Sequence, residues 1–354
     1  MPAEIIIHAG PLRQFTQSLV QAAGVPEVPA ALVADSLVAA NLRGVDSHGV
    51  QLLGLYMEAF QLGRANVHAT GRIAMESGAC AVFDGQNGLG QVMAAQACDI
   101  AVRLARTHGI GFVAVRDSNH FGAAAYWGQR MADAGMLGMA FCNASPQAAP
   151  WQGREARLGT NPICVALPGD NVWLLDMATT TVAINRIWKA ADDGEPEIPP
   201  GWAVDKHGLP TTSTQAAVEG FPTPLGGYKG TGLAIIVEIL CSALSGGAMA
   251  TEVGGLRVRK QPMRTSQAFI AIDVTRFMPL GQFTERMRRL RDMIKTTAPA
   301  AGYDEVLMAG EPEWRAESER LQNGIPITVP IWNKLLELAA KLGVTPPAEV
   351  TIMG

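Results

Sequence analysis

Two histidines flanked by small residues mark where this sequence could do proton chemistry. His48 stands between Ser47 and Gly49 in Asp46-Ser47-His48-Gly49, and His120 stands in Asn119-His120-Phe121-Gly122. Imidazole donates and accepts protons near neutrality, a neighbouring hydroxyl can hydrogen-bond to it, and glycine lets a ligand approach the backbone. A capping or structural histidine is the competing reading of each. Asp176 closes a predicted strand, with the amides of Met177 and Ala178 behind it. It could grip a ribose hydroxyl, orient an imidazole or cap the helix that follows. Lys229, in Gly226-Gly227-Tyr228-Lys229-Gly230, could reach a phosphate, although a solvent-facing lysine is the simpler reading. His8, His68, His108 and His207 read as surface or helix-end residues.

The glycine-rich run Gly85-Gln86-Asn87-Gly88-Leu89-Gly90 lies between a predicted strand and a helix, but its G-x-x-G-x-G spacing reverses the dinucleotide fingerprint. Gly227 to Gly232 shares the reversed order, so no Rossmann site is expected. Cys80, Cys98, Cys142, Cys164 and Cys241 are widely spaced without a C-x-x-C pair, which speaks against a disulfide framework or a zinc site. They are expected to be inert thiols in a reducing cytoplasm, and no metal is expected. A 48% apolar content with 17% charged residues suffices for a large core over 354 residues. A formal net charge of -4 gives no reason to expect nucleic acid or an anionic membrane as partner. No apolar run approaches the roughly 18 residues of a membrane span, and no basic leader follows Met1.

The elements that must position these residues can be read from periodicity. Helices are predicted over 12–23 and 28–42, and a further helix carries Leu52, Leu55, Tyr56 and Phe60. Strands over 79–83, 111–115 and 136–141 alternate with helices over 91–108 and 123–134, the rhythm of an α/β sheet with some parallel pairing. His120 then falls outside a strand's carboxyl end, where open α/β sheets bind ligands. Strands over 163–167, 172–175 and 267–274, an exposed loop over 192–200, and helices over 233–244 and 283–297 complete the prediction. A helical N-terminal segment (1–72), a central α/β region (73–240) and a C-terminal α/β region packed back on the core (241–354) are expected.

Taken in order, seven motifs resemble the type 2 malate/L-lactate dehydrogenase family. The group includes ureidoglycolate, sulfolactate and diketogulonate dehydrogenases and cyclic-imine reductases. The motifs are Asn41-Leu42-Arg43-Gly44-Val45-Asp46-Ser47-His48-Gly49-Val50, Ser118-Asn119-His120-Phe121-Gly122, Leu158-Gly159-Thr160-Asn161-Pro162, Leu175-Asp176-Met177-Ala178-Thr179, Trp202-Ala203-Val204-Asp205, Gly227-Tyr228-Lys229-Gly230 and Gly310-Glu311-Pro312-Glu313. The resemblance implies a non-Rossmann α/β fold, a mixed sheet with flanking helices, that binds NAD(H) or NADP(H). It also implies a homodimer whose active sites use both subunits. By resemblance His48 is the proton donor helped by Ser47, and His120 lies beside the nicotinamide and is the proton acceptor in some members. Phe121, Gly122, Thr160, Asp176, Met177, Ala178, Lys229, Gly310 and Glu311 would line the cofactor or substrate site.

Two departures bear on the substrate. The family usually has an arginine four residues after the catalytic histidine to hold the substrate carboxylate; here that position is Leu52, followed by Leu53-Gly54 in place of Leu-Pro. Where members carry Gly-Lys, or Gly-Asp in the imine reductases, this chain has Asn185-Arg186, so the charge-relay aspartate of the imine reductases is missing. Either Arg186 takes the anion, or the substrate has no carboxylate there. The resemblance thus favours hydride transfer on a small 2-hydroxy or 2-keto acid. The alternatives are a bulkier or uncharged ketone or cyclic imine, or a redox-neutral conversion on the same scaffold.

Overall fold

The computed structural model describes residues 4–257, 261–348 and 350–353. Its centre is a seven-stranded sheet in the order Arg72–Ser77, Cys80–Asp84, Ile110–Ser118, Thr265–Asp273, Met136–Cys142, Ile163–Ala166 and Leu174–Met177. Cys80–Asp84 pairs parallel with Ile110–Ser118, and every other neighbouring pair is antiparallel. The parallel pair needs a crossover, and the helix Gly90–His108 supplies it. Its Met93, Ala97, Cys98, Ala101, Leu104 and Ala105 recur at helical spacing and join Val113, Val115 and Phe269 in the main core. The helix stops at Gly109, whose φ of 88° is left-handed, and carries Arg106 and His108 in its last turn. The helix Ala124–Asp133 adds Trp127 and Met131 to the same core. Thr265–Asp273 belongs to the C-terminal third yet occupies the middle of the sheet, and its nearly continuous burial, with Ala268 to Ile272 all apolar, suits a strand covered on both faces.

A second core joins the two ends of the chain. The helices Ala9–Ala22, Glu27–Leu42, Leu53–Gln61 and Val329–Leu342 pack Leu12, Leu19, Leu37, Leu53, Trp332 and Leu335 together. A three-stranded sheet of Ile325–Thr328, Glu4–Ile7 and Thr351–Met353 closes it. Two of the shifted boundaries bear on the site. The helix predicted from 233 starts at Tyr228 and runs on from Glu238 into a π turn over Ile239–Ala243. The strand predicted over 172–175 lies at Leu174–Met177, so Asp176 is inside the strand rather than after it. Among the described residues no helix is long and apolar enough to cross a membrane.

Candidate active site

The ends of the sheet strands converge on one side. Ser118 and Cys142 finish their strands opposite Thr265 and Gln267, and Met177 finishes opposite Ile163. A cavity of about 990 Å³ opens there, lined by Ser47, His48, Leu52, His120, Phe121, Gly122, Thr160, Asp176, Met177, Ala178 and Gly310. Five sequence motifs far apart in the chain therefore meet around one cavity. The volume sits at the upper end of the roughly 300–1,000 Å³ typical of ligand and cofactor pockets.

His48 rides on a short 3₁₀ turn, Asp46–His48, immediately after the helix Glu27–Leu42. Such a turn has too few internal hydrogen bonds to hold itself, and side chains clamp it instead. Asn41 Nδ2 donates to Asp46 Oδ1 at 2.6 Å, while Asn41 Oδ1 accepts from the Val50 amide at 2.9 Å. Arg320, from the distant helix Glu311–Asn323, donates to Asp46 Oδ1 and Oδ2 at 2.8 and 3.0 Å and also to the Asn41 carbonyl. Gly49 is required by this clamp, since a Cβ there would lie 2.2 Å from Asn41 Oδ1. Ser47 Oγ sits 2.9 Å from His48 Nδ1. With that nitrogen engaged, Nε2 is left for a ligand. Burial lowers the His48 pKa from its usual 6.5, so the ring is neutral at neutral pH.

His120 is held from all sides. Asn119 Nδ2 donates to the carbonyls of Asn87 and Gly88, at 3.0 and 2.8 Å, and Gln267 Nε2 donates to the Asn119 carbonyl at 3.0 Å. Trp127 Nε1 donates to the Phe121 carbonyl at 2.9 Å. The reversed glycine run thus forms a bracket for the histidine loop: a Cβ on Gly90 would lie 2.2 Å from the carbonyls of Asn119 and His120. Tyr56 Oη lies 2.7 Å from His120 Nδ1, and the Gly122 amide donates to the same nitrogen at 3.2 Å. An amide is only a donor, so Nδ1 is the acceptor and Nε2 carries the proton. Burial, followed by the charge of His48, pushes the His120 pKa down to about 3. The two imidazoles stack with centroids 5.7 Å apart and planes 19° apart. His120 is therefore a fixed hydrogen-bond donor, and His48, neutral and with Nε2 left for a ligand, is the member of the pair placed to take up a proton. Sequence periodicity placed Tyr56 on a helix but gave no sign that its hydroxyl sets the tautomer of a residue 64 positions away.

The opposite wall is organised by Asn161, whose amide bridges Ala144 N, the Ala234 carbonyl and Glu238 Oε1 at 2.9–3.0 Å. The neighbouring Thr160 carbonyl accepts from Thr179 N at 2.9 Å and from Thr179 Oγ1 at 3.0 Å. Asp176 Oδ2 accepts from the Ala125 amide at 2.7 Å. It therefore caps the start of Ala124–Asp133 across the sheet, not the helix that follows it in sequence. The surrounding protein raises its pKa to about 6, moderated by that amide and by Arg43, although the carboxylate is open to the cavity. Glu311 faces away. It binds Lys295 Nζ at 2.5 Å and the Met308 amide at 3.2 Å, which fixes the turn presenting Gly310.

A sequence model of the malate/L-lactate dehydrogenase family matches residues 7–336. This chain belongs to the malate/L-lactate dehydrogenase family. It is similar to the malate dehydrogenase of Pyrococcus horikoshii, at 38% identity over 91% of either chain. It is also similar to the L-sulfolactate dehydrogenase of Methanocaldococcus jannaschii, at 40% identity over 90% of this chain and 92% of that one. Among solved structures, the malate dehydrogenase of Entamoeba histolytica superposes with a TM-score of 0.92 at 29% identity, covering 97% of this chain and 99% of that one. The Δ1-piperideine-2-carboxylate reductase of Pseudomonas syringae pv. tomato superposes with a TM-score of 0.82 at 25% identity, over 94% and 99%. The chain is an enzyme of the dehydrogenase and reductase type.

Within this malate/L-lactate dehydrogenase cavity the unusual positions are informative. Leu52, only 8% exposed, forms part of the wall. Arg186 is exposed and lies outside the lining of its own chain's cavity, where Asn185 and Trp188 face in instead. Lys229 is likewise exposed and outside that lining. A dinucleotide would meet unused donors: Arg43 Nε and Nη2 and Thr265 Oγ1 are buried without a protein partner, and both residues line the cavity. Buried guanidinium and hydroxyl groups without partners fit a ligand rich in phosphate and ribose oxygens.

Proposed function

We propose that the cavity binds NAD(H) or NADP(H) and interconverts a small 2-hydroxy acid and its 2-keto acid. Phe121, Gly122, Thr160, Asp176, Met177, Ala178, Gly310 and Arg43 are the groups suited to hold the cofactor. When bound, the nicotinamide supplies or takes the hydride. The chain's own part is proton handling and orientation. In oxidation His48 Nε2 takes the hydroxyl proton while Nδ1–H donates to Ser47 Oγ, which steadies the imidazolium; reduction reverses the transfer. His120 Nε2–H donates to the substrate oxygen and keeps it pointed at His48.

The observation that carries this reading is the pair of stacked imidazoles whose Nδ1 atoms are both engaged by neighbours, in a cavity with orphan donors. Its test is binding and turnover together. NADH or NADPH should raise the melting temperature, and His48→Ala should cut kcat about 10²–10⁴-fold while cofactor affinity stays within threefold. Failure of both cofactors to bind ends the proposal. Reduction of an uncharged ketone or cyclic imine is the second reading, favoured by the apolar Leu52 and Leu55 on the cavity wall.

A homodimer with shared active sites is part of the proposal. The segment beginning at Tyr228 leaves Tyr228, Ile235, Ile236, Ile239 and Leu244 at 45–66% exposure. An exposed apolar strip of this kind suits a subunit interface. Lys229 stands at its start, where a second subunit would bring it to a partner's cavity. Five unpaired cysteines, four of them buried, suit the reducing cytoplasm.

A further inference from the structure

With leucine at position 52, the cavity lacks a guanidinium on the element that carries His48. Another arginine faces the same space. Arg257 lines the cavity, and its guanidinium carbon lies 5.4 Å from the ring centre of Trp188, which also lines it. Among the described residues no carboxylate pairs with Arg257, so its hydrogen-bonding edge is not spent on any of them. We propose that Arg257 is the anion clamp of this enzyme and receives the substrate carboxylate in place of the arginine absent at Leu52. The proposal rests on reading the cavity as a hydroxy acid site and specifies how that site recognises its substrate.

Three features build the clamp. Trp188 belongs to the helix Ile184–Asp192, whose buried Ile187 and Ala190 lock it onto Val182, Ile198, Ala203 and Ala217. The indole is therefore a firm platform, and stacking on it leaves the in-plane N–H groups of the guanidinium free for a ligand. The loop carrying Arg257 closes through the Gly254 amide, which donates to the Met263 carbonyl at 2.7 Å. Buried Arg64 then ties that loop down, donating to the carbonyls of Gly255 and Leu256 at 3.4 and 3.2 Å.

The anchoring also indicates which anion is bound. Arg64 follows directly on the helix Leu53–Gln61, and Leu256 packs against the cluster containing Val50, Leu52 and Tyr56. Arg257 is thus fastened, through Leu256 and Arg64, to the helix that follows the His48 turn, and it lines the cavity that His48 and His120 also line. A planar guanidinium there matches a carboxylate through two parallel hydrogen bonds, which a lysine cannot reproduce. The substrate class that follows is a 2-hydroxy or 2-keto acid whose free carboxylate is obligatory. Its amide counterpart would be a poor ligand.

The test compares wild type, Arg257→Met and Arg257→Lys in three assays: calorimetric binding of oxamate with and without saturating NADH or NADPH, KM for pyruvate and pyruvamide, and affinity for NADH and NADPH alone. The expected result is a rise of roughly ten- to a hundredfold in the oxamate Kd and the pyruvate KM for Arg257→Met. Arg257→Lys should be intermediate, pyruvamide unaffected and both cofactor affinities within twofold. Leu52→Arg added to Arg257→Met should restore much of the oxamate binding. Unchanged oxamate binding in Arg257→Met, or none in wild type, overturns the clamp. A selective loss of NADPH affinity with oxamate binding intact also overturns it, because the arginine would then serve the cofactor phosphate. Wild type that binds oxamate through Arg257 yet turns over no 2-keto acid would leave the clamp standing and remove the proposed reaction.

Discussion

The proton-transfer part and the anion-binding part of the cavity are built on different principles. Around His48 and His120 nearly every polar atom is taken by a neighbour: Asn41, Asp46 and Arg320 lock one ring's turn, and Asn119, Gln267, Tyr56 and Gly122 lock the other. In the anion-binding part Arg257 rests on Trp188 from a loop that carbonyl contacts from Arg64 hold down. Proton transfer tolerates little misplacement, whereas a carboxylate can be met from several directions provided a guanidinium is present. The two histidines are held by contacts to the backbone around them, whereas the proposed substrate contact, Arg257, stands on a loop of its own.

Substitutions can break that contrast, beginning with the proton-transfer part. His48→Ala carries the largest effect, the 10²–10⁴-fold loss in kcat already given. Gly49→Ala should come next. The new Cβ displaces Asn41, uncouples Asp46 and Val50, and should lower stability by about 1–3 kcal/mol in chemical denaturation; a variant as stable as wild type would mean that the clamp is slack. Tyr56→Phe removes one donor to His120 Nδ1. Turnover should fall about tenfold, and the His120 pKa should rise from about 3, which NMR titration of the ring would detect.

The pH profile sharpens the comparison without mutation. Oxidation needs neutral His48, whose pKa burial holds below 6.5. kcat/KM for hydroxy acid oxidation should therefore be insensitive to this group above pH 6.5 and fall in one protonic step on the acid side. A step above pH 6.5 would assign the proton to another group. The smallest effect is expected from Arg186→Ala: with its side chain outside its own chain's cavity, KM for a 2-keto acid should change less than about threefold. A larger rise would move the substrate contact from Arg257 to Arg186, across a subunit boundary.

The parts of this site legible in the sequence were those with local signatures. Helical periodicity placed the segments before His48, and strand–helix alternation placed His120 at a carboxyl end of the sheet. What escaped were features set by distant partners. Glu4–Ile7 and Ile325–Thr328, four residues each, are too short for periodicity, and each makes sense only once paired with the other. Asp176 looked like the cap of the next helix because sequence shows neighbours in the chain, whereas its amide partner is Ala125 across the sheet. Arg257, Tyr56 and Arg320 sit in stretches with no motif, and only three-dimensional proximity gives them a role.

The contact of Arg320 with Asp46 spans 274 positions, and the central strand Thr265–Asp273 arrives late in the chain. A nascent polypeptide therefore carries Ser47, His48 and His120 long before it can set them. Competence should switch on only after Arg320 has been added, in a slow step typical of topologies dominated by distant pairings. Until then the half-built cavity is chemically silent, which gives the order of translation a hold on when this enzyme can first act.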